Sequence, residues 1–232
     1  MTTLRVLSAG AAKKLVRAMA GDFEARSGTR IDATFDAAGA IGSAFEARPD
    51  TDLVILPDAM LEALATAGRV EGASIAALGN VATGVAIRDG SAAPRVDDAD
   101  ALRRALVAAS ALYCPDIERS TAGRHFLHVL QSLAIAAEAK PKLRAYANGA
   151  MAMAALAREG PSGALGCTQS TEILYTPGVT LVAPLPPPFA LSTRYALAVS
   201  RRATSPDVAR AFAAQLTSPA NAAFRRRGGF IV

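Results

Sequence analysis

The chain has 232 residues, of which 51% are hydrophobic, 19% charged and 5% aromatic, with no Trp. That length and apolar content give one large domain or two small ones, each with its own core, and exclude a disordered chain. The net charge of +5 and a pI near 9.6 suit a nucleic acid, an acidic membrane surface or a small anion as partner. Scattered Lys and Arg and the scarcity of rings on which bases stack argue against nucleic acid. The one tight cluster, Arg225-Arg226-Arg227, reads as a solvated helix end whose cations favour the macrodipole. No apolar run reaches membrane-spanning length, so no membrane insertion is expected. Cys114 and Cys167 form no CxxC pair and have no His at metal-ligand spacing, which argues against structural zinc. The first residues enter a strand without a basic segment, an apolar stretch or a cleavage site. As written, the chain is expected in the cytoplasm, or in the periplasm if an export signal precedes it.

Taken in chain order, Leu4 to Leu7 is a short apolar strand and Ser8-Ala9-Gly10-Ala11 a small-residue turn. A helix follows from Ala12 to Arg26, with Leu15, Val16, Met19 and Phe23 at helical spacing, and Ser27-Gly28 stops it. Thr29 to Phe35 is a second strand, Asp36 to Ala40 a turn, and Ile41 to Ala47 a helix. Leu53 to Leu56 is wholly apolar, as a strand buried on both faces must be. Pro57-Asp58 then opens a helix from Ala59 to Ala67, closed by Gly68. This β-α-β-α-β-α order predicts an open parallel sheet covered on both faces, with ligands at the carboxyl ends of its strands.

The same grammar returns. Val81 to Ile87 is predicted as a strand, Asp100 to Ala109 as a helix and Ala111 to Cys114 as a strand. A polar turn, Pro115 to Gly123, leads into a helix from Arg124 to Leu133. Lys142 to Tyr146, Ala164 to Cys167, Leu181 to Leu185 and Tyr195 to Val199 are further extended segments. Asn148-Gly149 turns into a helix from Ala150 to Glu159, and Thr168 to Ile173 is a turn or short helix. Two helices close the chain, one from Pro206 to Thr217 and one from Pro219 to Gly228. The small-residue turns at Ser8 to Ala11 and Ala37 to Ala40 leave backbone N–H groups open at helix starts, which suits an anion; they also serve simply as tight turns.

Several stretches, in order and spacing, resemble the molybdate-binding component of ABC transporters and its relatives among type II periplasmic solute-binding proteins. These are Ala18 to Gly28, Phe35 to Asp58, Leu61 to Val70, Thr121 to Leu133, Gly163 to Leu174 and Ser205 to Gly228. The resemblance implies an α/β protein of the periplasmic-binding-protein type II fold. Each of its two lobes would be a mostly parallel sheet flanked by helices, with the ligand cleft between them. Lobe 1 would comprise residues 1–82 completed by 193–232, and lobe 2 residues 83–192. It also implies a small anionic ligand and, for an exported protein, an ABC permease as partner.

The departures bear on the ligand. The family's hydroxyl positions in the first two turns are occupied here by Gly10 and Gly39, and its late tyrosine is missing near Gly166 or Cys167. Backbone donors at Ser8, Ala9, Gly10, Ala38 and Gly39 remain, but a buried oxyanion needs several donors to offset its desolvation. The segments around Thr121 to His125 and Cys167 to Glu172 look more like a divergent branch that includes aconitate isomerases, which need no cofactor.

In the second lobe Arg124, at a helix start where a cation opposes the macrodipole, suits a carboxylate ligand or an ion pair with Asp116 or Glu118. His125 is the candidate proton shuttle if the protein is an enzyme, and otherwise a core histidine satisfied by backbone. His128 lies one turn on, but no third ligand makes a metal site. Ser120, Thr121, Gly149, Thr168 and Gln169 complete the expected ligand contacts; capping and tight turns are the alternative uses of these residues. Arg194 and Tyr195 fit either a ligand contact or hinge packing. Two functions follow: a binding protein for an oxyanion or carboxylate, or a cofactor-independent isomerase of an unsaturated di- or tricarboxylate using the same cleft.

Overall fold

A computed structural model describes residues 2–232; Met1, part of the expected first lobe, lies outside the described residues. The chain runs β1 (Thr3–Ala9), a 3₁₀ turn (Gly10–Ala12), α1 (Lys13–Ser27), β2 (Arg30–Asp36), α2 (Ala38–Ala47), β3 (Leu53–Pro57) and α3 (Asp58–Thr66). It continues with β4 (Ala76–Arg88), α4 (Ala99–Ala108), β5 (Leu112–Pro115), α5 (Thr121–Ser132), α6 (Ala136–Ala139), β6 (Leu143–Tyr146), α7 (Gly149–Glu159), β7 (Leu165–Gln169) and α8 (Ser170–Tyr175). The last elements are β8 (Val179–Pro184), β9 (Ser192–Val199), α9 (Pro206–Thr217), α10 (Ala222–Arg227) and β10 (Phe230–Ile231). Two compact units result. One takes the chain up to Val81 together with Thr193–Val232; the other is Ala82–Ser192.

In the first unit β1 lies between β2 and β3, parallel to both, and β9 joins β3 in the antiparallel sense. β4 follows β9 in the sheet, and β10 pairs antiparallel with β4. Leu53, Val54, Ile55 and Leu56 are all fully buried, which is why this strand reads as an unbroken apolar run. β2, at the edge, alternates between exposed and half-buried residues. The helical stripe of α1 places Leu15, Val16 and Phe23 in the core, and the Phe23 ring meets Phe212 of α9 at 4.9 Å between centroids. Gly28 ends α1 in the left-handed conformation (φ 67°), where a side chain would be strained.

Asp52, fully buried, ties this unit together. Its Oδ2 accepts from the Arg5 backbone N–H, and its Oδ1 accepts from the Thr204 and Ser205 N–H groups and the Thr204 hydroxyl. Three chain segments that are distant in sequence therefore meet on one carboxylate.

In the second unit the order is β8-β4-β7-β5-β6, with β5 parallel to β6 and β7 and β4 antiparallel to β7 and β8. The period of two along β5 and β7 divides the core. Leu112, Cys114, Leu165 and Cys167 pack with Leu102, Leu106 and Phe126 on one face. Tyr113 packs with Met153, Leu156 and Ile173 on the other.

Several boundaries differ from expectation. β4 begins at Ala76, ahead of the apolar run that marks it in sequence; Gly79, at φ 135°, is close enough to Ile231 and Val232 that a side chain there would collide with them. α2 begins at Ala38 and α5 at Thr121, so residues expected in the preceding turns form the first helical turns. α6 and β10 were not anticipated. The Arg225–Arg227 cluster is not wholly solvated. Arg225 is buried, and its guanidinium donates to the Leu216 and Ser218 carbonyls, capping the end of α9. Burial, with some repulsion from Arg226, lowers the pKa of that guanidinium.

Candidate anion-binding site

The parallel strands β5, β6 and β7 end on one side of the second unit, and each hands over to a helix: α5, α7 and α8. Their N-terminal turns thus gather at one edge of the sheet, where the aligned peptide dipoles favour negative charge.

At the end of β5 the chain folds tightly onto α5. The Asp116 carboxylate accepts from the N–H groups of Glu118 (2.8 Å) and Arg119 (2.9 Å), and those two bonds hold its pKa below the usual range. Gly123 lies against the Asp116 and Pro115 carbonyl oxygens, which leave no room for a Cβ. Ser120 caps α5 by accepting from the Gly123 N–H at 3.4 Å, so its own proton remains a donor. Thr121, half-buried, opens the helix. Arg124 is exposed and donates to the Glu118 carbonyl at 3.0 Å. His125 Nε2 lies 2.8 Å from the Phe189 carbonyl. A carbonyl only accepts, so Nε2 carries the proton and Nδ1 is the basic nitrogen.

The end of β7 is the most unusual part of the unit. Thr168, Gln169, Ser170, Thr171 and Glu172 are five consecutive polar residues, and all are buried. Polar groups out of water need partners or a ligand. The Thr168 hydroxyl donates to Glu172 Oε2 at 2.6 Å. Gly149, at the start of α7, is the reason the carboxylate fits: a Cβ there would fall within the envelopes of Glu172 Oε2 and Thr168 Oγ1. The N-terminus of α7 is capped by Asn148, whose side chain accepts from the Met151 N–H at 3.0 Å. Glu172 thus lies beside a helix N-terminus, which steadies its negative charge. The hydroxyls of Thr171 and of Thr83, which pairs from β4 with Gln169 of β7, are buried with no hydrogen-bond partner among the described residues.

In the first unit Ser8, Ala9 and Gly10 lie at the end of β1, and Ala38 and Gly39 begin α2 after the neighbouring β2, where Ala9 pairs with Asp36. The Ser8 hydroxyl is buried and donates to the Ala9 carbonyl at 2.9 Å. No side chain caps α2; Asp36 Oδ1 instead accepts from the Ala37 N–H at 2.8 Å. Arg194 pairs with Asp58 at 3.3 Å.

The expected residues therefore form two sets, one in each unit. Thr168, Gln169 and Gly149 are brought together around Glu172, with Ser120 and Thr121 at the neighbouring strand end. Arg124 and His125 are engaged by backbone carbonyls. Glu172, Thr83 and Thr171 were missed; the available signal was an uninterrupted polar run, TQSTE, directly after an apolar strand. Among the described residues no three His, Cys, Asp or Glu side chains cluster as a metal site would require, and no helix is long and apolar enough to cross a membrane.

Parallel strands ending at helix N-termini, in two units that the chain enters and leaves through β4 and β9, define the type II periplasmic-binding-protein fold. The solved structures agree in fold. The periplasmic molybdate-binding protein of Azotobacter vinelandii superposes with a TM-score of 0.79 at 14% identity, covering 99% of each chain. The sulfate-binding protein of Mycobacterium tuberculosis gives 0.75 at 17%, covering 99% of this chain and 86% of that one. Residues 4–231 match the model of the bacterial extracellular solute-binding protein family, and the chain belongs to that family. An aconitate isomerase from a Pseudomonas species is 27% identical over 233 residues, 94% of this chain and 83% of that protein.

Proposed function

We infer that the protein is a solute-binding protein for a small anion, an oxyanion or a carboxylate, held by the helix N-termini and polar groups at the strand ends. The buried run Thr168–Glu172 carries this reading, because five polar residues withdrawn from water beside helix N-termini have no role in packing an apolar core. Family membership and the molybdate and sulfate named for two proteins of the same fold support it. Within the class, a carboxylate is favoured over a bare tetrahedral oxyanion. The single proton of Thr168 is committed to Glu172, so that hydroxyl faces a ligand as an acceptor. A ligand with a donor of its own, such as a hydroxy acid or a protonated carboxyl, satisfies it. An exported protein of this kind works with an ABC permease, and the family description fits a location outside the cytoplasm.

The test is a thermal-shift screen with molybdate, tungstate, sulfate, phosphate, citrate, and cis- and trans-aconitate. A ligand at about a hundredfold over its dissociation constant stabilises by roughly 2.7 kcal/mol. A shift with carboxylates is expected; a shift with molybdate or tungstate alone removes the carboxylate preference, and none with any anion removes the reading.

The similarity to an aconitate isomerase favours a second reading, in which the bound polycarboxylate is also isomerised. A base takes a proton from the methylene carbon beside one carboxylate, the double bond shifts, and the proton returns at the far carbon of the allylic unit. His125 Nδ1 and the Glu172 carboxylate are the groups suited to carry that proton, and no cofactor is involved. Solvent deuterium appearing in aconitate by NMR, and its loss in His125→Ala or Glu172→Gln, would establish this; cis- and trans-aconitate that bind without exchange would leave binding alone.

A further inference from the structure

The two cysteines lie outside the polar run and take no part in the function proposed above. β5 and β7 are parallel neighbours, with Leu112 opposite Leu165 and Tyr113 opposite Gly166. Continued one residue past this paired register, the two strands bring Cys114 toward Cys167, and the two thiols are close enough to interact electrostatically. Both side chains belong to the same apolar cluster, on the face opposite Tyr113. Adjacent strands are about 4.8 Å apart, inside the roughly 4.4–6.8 Å over which a disulfide joins two Cα atoms. Both thiols are buried and free, and the sequence holds no third cysteine to compete.

We propose that Cys114 and Cys167 are joined by a cross-strand disulfide when the chain folds in the presence of a disulfide oxidant. One thiolate attacks a sulfur of the oxidant's disulfide, forming a mixed disulfide and releasing one oxidant thiol. The second thiolate attacks the protein sulfur of that mixed disulfide, closing the Cys114–Cys167 bond and releasing the other. The protein loses two electrons and two protons; the oxidant gains them as two thiols.

Burial dictates when this happens. It pushes the Cys114 thiol up to about 12, with Asp116 adding to the shift, and the Cys167 thiol well above its ordinary range, with Cys114 adding to it. The folded protein therefore holds almost no thiolate near neutral pH. The bond closes before the core does, spans a loop of roughly fifty residues, and is then shielded from reductant. It ties the strand leading into the Asp116 turn to the strand leading into Thr168.

The test is to unfold the protein in guanidinium with reductant, refold it in mixed reduced and oxidised glutathione, quench with iodoacetamide, and measure intact and peptide masses. The expected product is a monomer lighter by two hydrogens, with a peptide pair linked through Cys114 and Cys167. Two alkylated cysteines, two glutathione adducts or a disulfide-linked dimer would overturn the proposal. Cys114→Ser, refolded alongside, should carry glutathione on Cys167, which shows that oxidant reaches the unfolded chain and makes a negative result with the wild type decisive.

Discussion

Each unit buries a carboxylate, and the two are held in different ways. Asp52 receives four hydrogen bonds, three of them from backbone N–H groups, and joins β1, the approach to β3 and the approach to α9. Glu172 receives a side-chain hydroxyl, that of Thr168, and occupies a space that exists because residue 149 has no side chain. Backbone donors are fixed by the fold, so a carboxylate that collects them acts as a clasp. The Thr168 hydroxyl that meets Glu172 stands at a strand end, next to the start of α7. Buried charge ties chain segments together in the first unit and, on the function proposed above, belongs to the ligand site in the second.

Replacing each group breaks or sharpens this contrast. Asp52→Ala strands four donors, three of them backbone N–H groups, and should cost about 3–5 kcal/mol, read as a lower urea midpoint. Gly149→Ala forces a methyl against Glu172 and Thr168 and should cost about 1–3 kcal/mol while also weakening ligand binding, by thermal melt and calorimetry together. Glu172→Gln should change stability by only about 1 kcal/mol yet shift carboxylate affinity about tenfold or more, by isothermal titration. If it instead unfolds the protein as Asp52→Ala does, Glu172 is a second clasp and the contrast fails.

The smallest effect is at Asp116. Its folded pKa is depressed by the Glu118 and Arg119 N–H groups. The stabilisation is full above the unfolded carboxylate value of about 3.9 and is lost as pH falls through the lower folded value. Asp116→Ala should therefore flatten a shallow acid limb in the pH dependence of melting, leaving the rest of the curve in place.

Periodicity made much of the fold legible. Leu53 to Leu56 reads as a buried strand because it is one, and the helical stripe of α1 was visible in Leu15, Val16 and Phe23. What escaped has physical reasons. β10 has two residues, and β4 begins in Ala76 to Asn80, where small and polar residues carry no apolar run, so both are fixed by pairing with each other rather than by local preference. Arg225 looked like its exposed neighbours because composition cannot show which arginine of three meets the carbonyls at the end of α9. The small-residue turns at Gly10 and Gly39 were readable as strand-to-helix handovers, and Gly10 does follow β1 and Gly39 does open α2. Glu172 was not, because a lone Glu in a short helix is ordinary until Gly149, far away in sequence, is found against it.

The clasp at Asp52 also fixes an order of events during synthesis. Its acceptors are made early, while Thr204 and Ser205 are made only after the whole second unit has been translated. The continuous stretch Ala82–Ser192 contains all of its own sheet partners and can complete itself on the ribosome. The first unit must wait, holding an unclasped carboxylate and an unfinished sheet edge until β9 arrives. Any stalled or truncated product ending before Thr193 therefore combines one finished unit with one that is open at β3, and that exposed edge is where such a product is most prone to mispair.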